Sequence, residues 1–242
     1  MKEIPILFST QMVHAILEGR KTMTRRIVKT TQKGWNCQNM EFTHSENILT
    51  SEISKKYKRQ ASQIVGFHAF FTDKEHMGHQ LGIKCRFGQP GDVLWVRETW
   101  MDAPNRHMAP QEPYYFKASQ SKQFLEEWPN SWSPSIHMPK VASRIWLQVE
   151  EIRMERLKII TEDDAKAEGI EEYGPFGEYK GSKHPSGGLM RYRAYNKASR
   201  AFEDLWNDIN GENSWKANPW VWVVKFKVLS ITGKPEIKTT HP

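Results

Sequence analysis

A chain of 242 residues with 38% hydrophobic and 12% aromatic residues can bury a sizeable core, and its ten tryptophans exclude disorder throughout. Its 35 lysines and arginines against 28 acidic residues give a formal charge of +7, which suits a polyanionic partner and equally an ordinary surface. Two cysteines, Cys37 and Cys85, set no disulfide framework. Histidines cluster at 68, 76 and 79, but neither Cys-x-x-Cys nor His-Glu-x-x-His occurs, so no metal and no other cofactor is expected. With neither a signal-like apolar run nor a stretch of membrane-span length, the expectation is a cytoplasmic protein with no membrane partner.

Pro5 to Phe8 reads as a first strand. Ser9 or Thr10 can cap a short helix over residues 11 to 18, where Met12, Val13, Ile16 and Leu17 recur at three and four residues and Gly19 supplies a left-handed stop. The segment after it reads as a strand, with Thr22, Thr24 and Arg26 on one face and Lys21, Met23, Arg25 and Ile27 on the other. A site using both Lys21 and Thr24 therefore requires a turn between Gly19 and Thr22. The crowding of Glu18, Arg20, Lys21, Arg25 and Arg26 beside apolar residues makes this junction the best site candidate, against the plainer alternative of a solvated basic junction.

Residues 30 to 63 are polar and aperiodic, a long loop or insertion with at most a short helix near Glu52 to Gln63; Gly66 to Phe71 and Ile83 to Phe87 read as minor strands. Pro90 and Gly91 fit the central positions of a type II turn, followed by a strand from Val93 to Thr99. That strand ends on Arg97 and Glu98, either a salt pair with each other or the edge of a pocket. Residues 101 to 134 contain YYFKA as an edge strand, and WPNSWSPSIHMP suits a rigid covering loop.

Arg144 to Leu157 gives the longest strand signal. Thr161 can cap a helix over 162 to 168, with Asp164 in the capping-box position and Glu168 just before Gly169; on charge alone Glu168 is a surface carboxylate. Residues 171 to 195 lack core periodicity, and KGSKHPSGG is expected to be a mobile, lid-like segment. A helix from Ala198 to Ile209 should bury Trp206 and end at Asn210-Gly211. Trp220 to Leu229 reads as a closing strand placed centrally in a sheet, and 232 to 242 as a polar tail. No nucleotide-binding glycine loop or internal repeat occurs.

The arrangement of a helix followed by Gly19, Lys21 and Arg26 in the spacing G-x-K-x-x-x-x-R resembles the opening signature of the ASCH domain, a PUA-like β-barrel family. The wider wording over residues 5 to 26 is similar to phage and prophage ASCH proteins, and the resemblance returns at 88 to 100, 135 to 170 and 202 to 229. It implies a mainly β fold with short helices, an α+β PUA-like barrel forming a single domain over 1 to 242, with insertions at about 30 to 84, 101 to 134 and 171 to 197. In the small bacterial ASCH enzymes that hydrolyse N4-acetylcytidine, the catalytic residues are a lysine and a threonine in GRKTxT and a glutamate in a later T-E-x-x-A-x-x-E segment. The matching residues are Lys21, Thr24 and Glu168. The chain departs from those enzymes in its greater length, in TRR where they have TIR, and in its insertions.

Two function classes follow. As an amidohydrolase, the chain would cleave an acyl amide on a modified pyrimidine. As a non-catalytic binding module it would take RNA or a modified nucleoside, with Arg20, Arg25 and Arg26 on phosphate, Arg97 at the pocket edge, and Trp132 or His137 against a base. A phage accessory protein with no ligand is a third expectation.

Overall fold

The computed structural model describes residues 1–29, 41–48, 66–73, 79–103, 113–129, 131–174, 176–183 and 192–236. It is a mixed α+β structure made mostly of strands, with a few short helices. In chain order the elements are β1 (Glu3–Leu7), α1 (Thr10–Leu17), β2 (Met23–Ile27), β3 (Glu41–Ile48), β4 (Gly66–Asp73), β5 (His79–Lys84), β6 (Val93–Arg97), β7 (Trp100–Asp102) and β8 (Tyr114–Phe116). They continue with α2 (Lys122–Glu127), β9 (Trp146–Arg156), α3 (Glu162–Ala167), β10 (Glu172–Tyr173), β11 (Glu178–Lys183), β12 (Tyr192–Tyr195), α4 (Ala198–Asn210) and β13 (Trp220–Ser230). No helix among the described residues is long and apolar enough to cross a membrane.

The principal sheet has the order β1-β6-β9-β13-β2, parallel between β1 and β6 and antiparallel elsewhere. Alternation along β13 explains why it is central. Trp222, Val224 and Phe226 enter one core with Ile6, Phe8, Leu94 and Leu147, beneath Val13 and Ile16 of α1 and Phe71 of β4. Val221 and Val223 point the opposite way, into a second core with Met23, Ala165, Phe202 and Trp206. A strand covered on both faces must be apolar at successive positions, as the first five residues of β13 are. At the open end of the first core, Phe67 meets Trp222 edge-on with ring centroids 6.0 Å apart. The sheet curves far enough that Arg26, on edge strand β2, donates from Nη2 to the Leu7 carbonyl of edge strand β1 at 2.7 Å.

The structure departs from the sequence reading in a helix at 122–127, where none is expected, in a strand at 79–84 rather than 83–87, and in two small sheets. Residues 41–48 form β3 within what reads as a long loop, and β3, β4 and β5 build a separate three-stranded sheet. Residues 172–195 hold another, β10-β11-β12, anchored on α4 where Asp204 accepts from the Ser182 amide and hydroxyl, both at 2.7 Å. Its apolar signal is confined to Tyr179 and Tyr195 against the second core, too sparse to show as a period. The first four residues of KGSKHPSGG therefore belong to β11, while 184–191 and the helix expected near 52–63 lie outside the described residues. The turn before β6 is as expected: Gly91 has φ of 90° and Asp92 N–H donates to the Gln89 carbonyl at 3.0 Å.

Trp222, 2% exposed and shared by the sheet and the β4 ring contact, should be the costliest truncation. Trp222→Ala is expected to lose about 3–5 kcal/mol in denaturant unfolding. Phe176→Ala, at a side chain 87% exposed, should change stability by less than about 0.5 kcal/mol.

Candidate functional site

Two helix ends meet at the site. The Ser9 hydroxyl accepts from Met12 N–H to start α1, which closes over Gly19 at φ of 75°. The Thr161 hydroxyl accepts from Asp164 N–H at 3.1 Å to start α3, which runs into Glu168 and then Gly169 at φ of 96°. Between Gly19 and β2 the chain turns and is fastened on both sides. Lys21 N–H donates to the Ala15 carbonyl and Thr22 N–H to the Ala167 carbonyl, both at 2.9 Å. Lys21 and Glu168 are thereby set side by side in an isolated antiparallel bridge. A Cβ on Gly169 would sit 2.8 Å from the Ala15 Cβ and 3.0 Å from the Lys21 Cβ, so this crossing requires glycine for space as well as for its dihedral.

The Lys21 ammonium is 1% exposed and donates to Glu168 twice, to Oε2 and to the backbone carbonyl, each at 2.8 Å. Arg20 satisfies the next carbonyl, that of Gly169, while pairing with Glu18. Cations thus cap the carbonyls left open by the end of α3. Burial drives the Lys21 pKa below its ordinary 10.5; Glu168 opposes that shift, and Arg26 and Arg25 add to it.

Arg25 sits on the opposite side of the Glu168 carboxylate, 3.3 Å from Oε1. It also donates to Glu155 at 2.6 Å and to Asp164 at 2.5 Å. Arg153 joins the same two carboxylates, at 3.1 and 2.6 Å. The register accounts for the cluster: Arg25 and Arg153 both pair with Val223, from the two sides of β13. Two guanidiniums consequently rise on one face of the sheet, and the side chains of Glu155 and Asp164 fill the space between them. Arg25 therefore holds the ion network together rather than lying open to a phosphate.

Thr24, 1% exposed, lines a cavity of about 230 Å³ together with Lys21, Glu168, Arg26, Phe202 and Trp206. The Phe8 ring underlies the basic wall, with Lys21 Nζ 5.7 Å and the Arg26 guanidinium 5.3 Å from its centroid. A second cavity, of about 340 Å³, adjoins the first and shares Met12, Glu168, Leu205 and Ile209 with it; Arg20, Lys180 and Tyr192 are on its wall.

Of the residues singled out in the sequence, the structure brings Lys21, Thr24, Arg25, Arg26 and Glu168 to one cavity and Arg20 to its neighbour. Glu168 is only 7% exposed, not the surface carboxylate its charge pattern suggests, because α3 delivers it against the buried start of β2. Arg97, Trp132 and His137 line neither cavity. Arg97 lies over Trp95 and donates to the Ile136 carbonyl, Trp132 packs edge-on against Phe124, and His137 is exposed on a short turn. Nor does Arg97 pair with Glu98: the Glu98 carboxylate is 1% exposed and accepts two 2.9 Å bonds from Arg144. Adjacent strand residues face opposite ways, whereas Arg144 precedes the strand that flanks β6.

Sequence reasoning missed Phe8, Arg153, Glu155 and Asp164 as parts of this site. Asp164 was visible only as a capping residue, and the alternation of Arg153 with Glu155 was visible only as a polar strand face. No group of three or more histidine, cysteine or acidic residues fit to hold a metal occurs among the described residues; Cys37 lies outside them, and burial raises the Cys85 thiol to about 12. Comparison with protein-family models, curated proteins and solved structures found no match.

The depressed Lys21 pKa has a signed consequence. Between the folded-state pKa and 10.5 the unfolded chain holds a proton that the folded chain has released, so stability rises with pH across that window. The stability of wild type relative to Lys21→Met, measured by denaturant unfolding, should therefore increase as pH rises toward 10.5 and then level off. Gly169→Ala should cost on the order of 1–3 kcal/mol through its left-handed dihedral and its contact with Lys21.

Proposed function

We propose that the chain is an ASCH protein, its curved sheet the counterpart of a PUA-like barrel, and that it hydrolyses an acyl amide on a modified pyrimidine of the N4-acetylcytidine kind. The observation that carries the reading is a buried lysine of lowered pKa, hydrogen-bonded to a buried carboxylate, on one cavity wall with a threonine hydroxyl. A neutral lysine amine has two N–H donors, and Glu168 offers two acceptors at 2.8 Å, its carboxylate and its carbonyl. The nitrogen lone pair is then left to receive a proton.

In this mechanism Lys21 takes the proton of the Thr24 hydroxyl as its oxygen attacks the acyl carbonyl. The carbon–nitrogen bond breaks, and the Lys21 proton passes to the departing pyrimidine nitrogen. Water then attacks the acyl-threonine ester, giving one proton to Lys21, and the acid leaves as Thr24 recovers its hydroxyl proton. Glu168 orients the amine throughout, and Arg26 supplies positive charge at the cavity wall.

A second reading is non-catalytic recognition of a modified base or RNA, favoured by the near-complete enclosure of Lys21, 1% exposed. Incubation with a panel of N4-acylated cytidines, followed by mass detection of cytidine and free acid, separates the two. Hydrolysis is expected, reduced about 10²–10⁴-fold in Lys21→Met, Thr24→Val and Glu168→Gln that retain native circular dichroism. The rate should rise with pH through a midpoint below 10.5, as the neutral amine forms. Tight nucleoside binding without acid release from any acyl size would establish the second reading.

A further inference from the structure

We infer that the mouth of the Lys21 cavity is a phosphate subsite formed by Arg26, Lys29 and Arg86, so that the cavity takes a nucleoside monophosphate in preference to the free nucleoside. The inference rests on reading the cavity as a pyrimidine site and adds the class of its ligand. Five basic side chains and one carboxylate line the cavity: Lys21, Arg25, Arg26, Lys29 and Arg86 against Glu168. Glu168 is bonded by Lys21 and Arg25, and Arg25 is further held by Glu155 and Asp164. Arg26, Lys29 and Arg86 have no ion-pair partner among the described residues, which leaves three positive charges in the lining of the cavity.

Arg26 is the built element of this wall. Its guanidinium is fixed by the Phe8 ring at 5.3 Å and by one bond to the Leu7 carbonyl at 2.7 Å, and its Nε is buried with no partner. Burial disfavours its protonated state, Glu168 opposes that shift and the neighbouring charge of Arg86 adds to it, leaving a net cost that an arriving anion would offset. Arg86 is exposed and rests on Phe87 at 5.3 Å, and Lys29 is exposed beyond the end of β2.

The size of the cavity is consistent with this division. About 230 Å³ is less than the roughly 300–1,000 Å³ of sites for drug-sized ligands, enough for a base and a small acyl group with sugar and phosphate left at the rim. Planar guanidiniums pair bidentately with phosphate oxygens, and a dianion answers three positive charges better than a carboxylate does.

Calorimetry on the full chain with cytidine, its 5′- and 3′-monophosphates and inorganic phosphate tests the subsite without requiring turnover. The tighter monophosphate should bind at least about tenfold more strongly than cytidine, an advantage reduced at high salt. In the double variant Lys29→Met/Arg86→Met, altered at exposed positions, the ratio should fall below about threefold; Arg26→Met should lower it as well. Inorganic phosphate binding that the double variant loses, with no cytidine compound bound, would keep the subsite and remove the pyrimidine reading. Equal affinity for cytidine and both monophosphates, an advantage that survives the double variant, or no binding of any of the four compounds would overturn the inference.

Discussion

Lys21 and Glu168 form the link on which the rest of the site depends. Their side chains close an ion pair at 2.8 Å, their backbones form a bridge, and the amides of Lys21 and Thr22 donate to the Ala15 and Ala167 carbonyls. Taking two charges out of water is costly unless the geometry is good and the remaining donors and acceptors are met. Here the lysine has two acceptors, and the carboxylate has Arg25 as well as the lysine. The pair therefore fixes the end of α3 against the start of β2, and the glycines at 19 and 169 let both helices stop where they must for that contact.

β2 separates two charge environments. On one side Arg25 joins Arg153, Glu155, Asp164 and Glu168 in a network where each charge has an opposite neighbour. On the other, Thr24 and Arg26 face a cavity whose remaining cations are unpaired among the described residues. The closed network gives rigidity, because moving Lys21 or Glu168 would strip partners from several buried groups at once. The open wall gives affinity for negative charge. A rigid reactive pair beside an electropositive rim is an arrangement suited to small anionic ligands, and the Phe8 ring joins the two by lying beneath both Lys21 and Arg26.

The second core makes this possible from below. Met23 at the head of β2, Ala165 of α3 and Phe202 and Trp206 of α4 pack together with Val221 and Val223. The helix that carries Glu168 is thus held by apolar contacts as well as by charge. α4 also anchors the small sheet of β10, β11 and β12, whose Lys180 and Tyr192 wall the neighbouring cavity.

Local chemistry alone determined the helix starts at Ser9 or Thr10 and at Thr161, the stops at Gly19, Gly169 and Gly211, the turn at Pro90-Gly91, and β9 and β13, because each depends on a residue's own dihedral freedom or on near-neighbour periodicity. The motif around Lys21 and Thr24 was legible for the same reason, being contiguous. β3 and the β10–β12 sheet were not, since polar strands with few apolar positions acquire their stability from distant partners such as Asp204 on α4. Only the tertiary structure decided that Glu168 is buried beside Lys21, that Glu98 belongs to Arg144, that Arg25 is enclosed by carboxylates, and that Arg97, Trp132 and His137 stand apart from the cavity. The physical reason is range: caps, turns and periodicity act over a few residues. An ion pair between residues 147 positions apart is set by how strands register and helices pack, which no local stretch of sequence encodes.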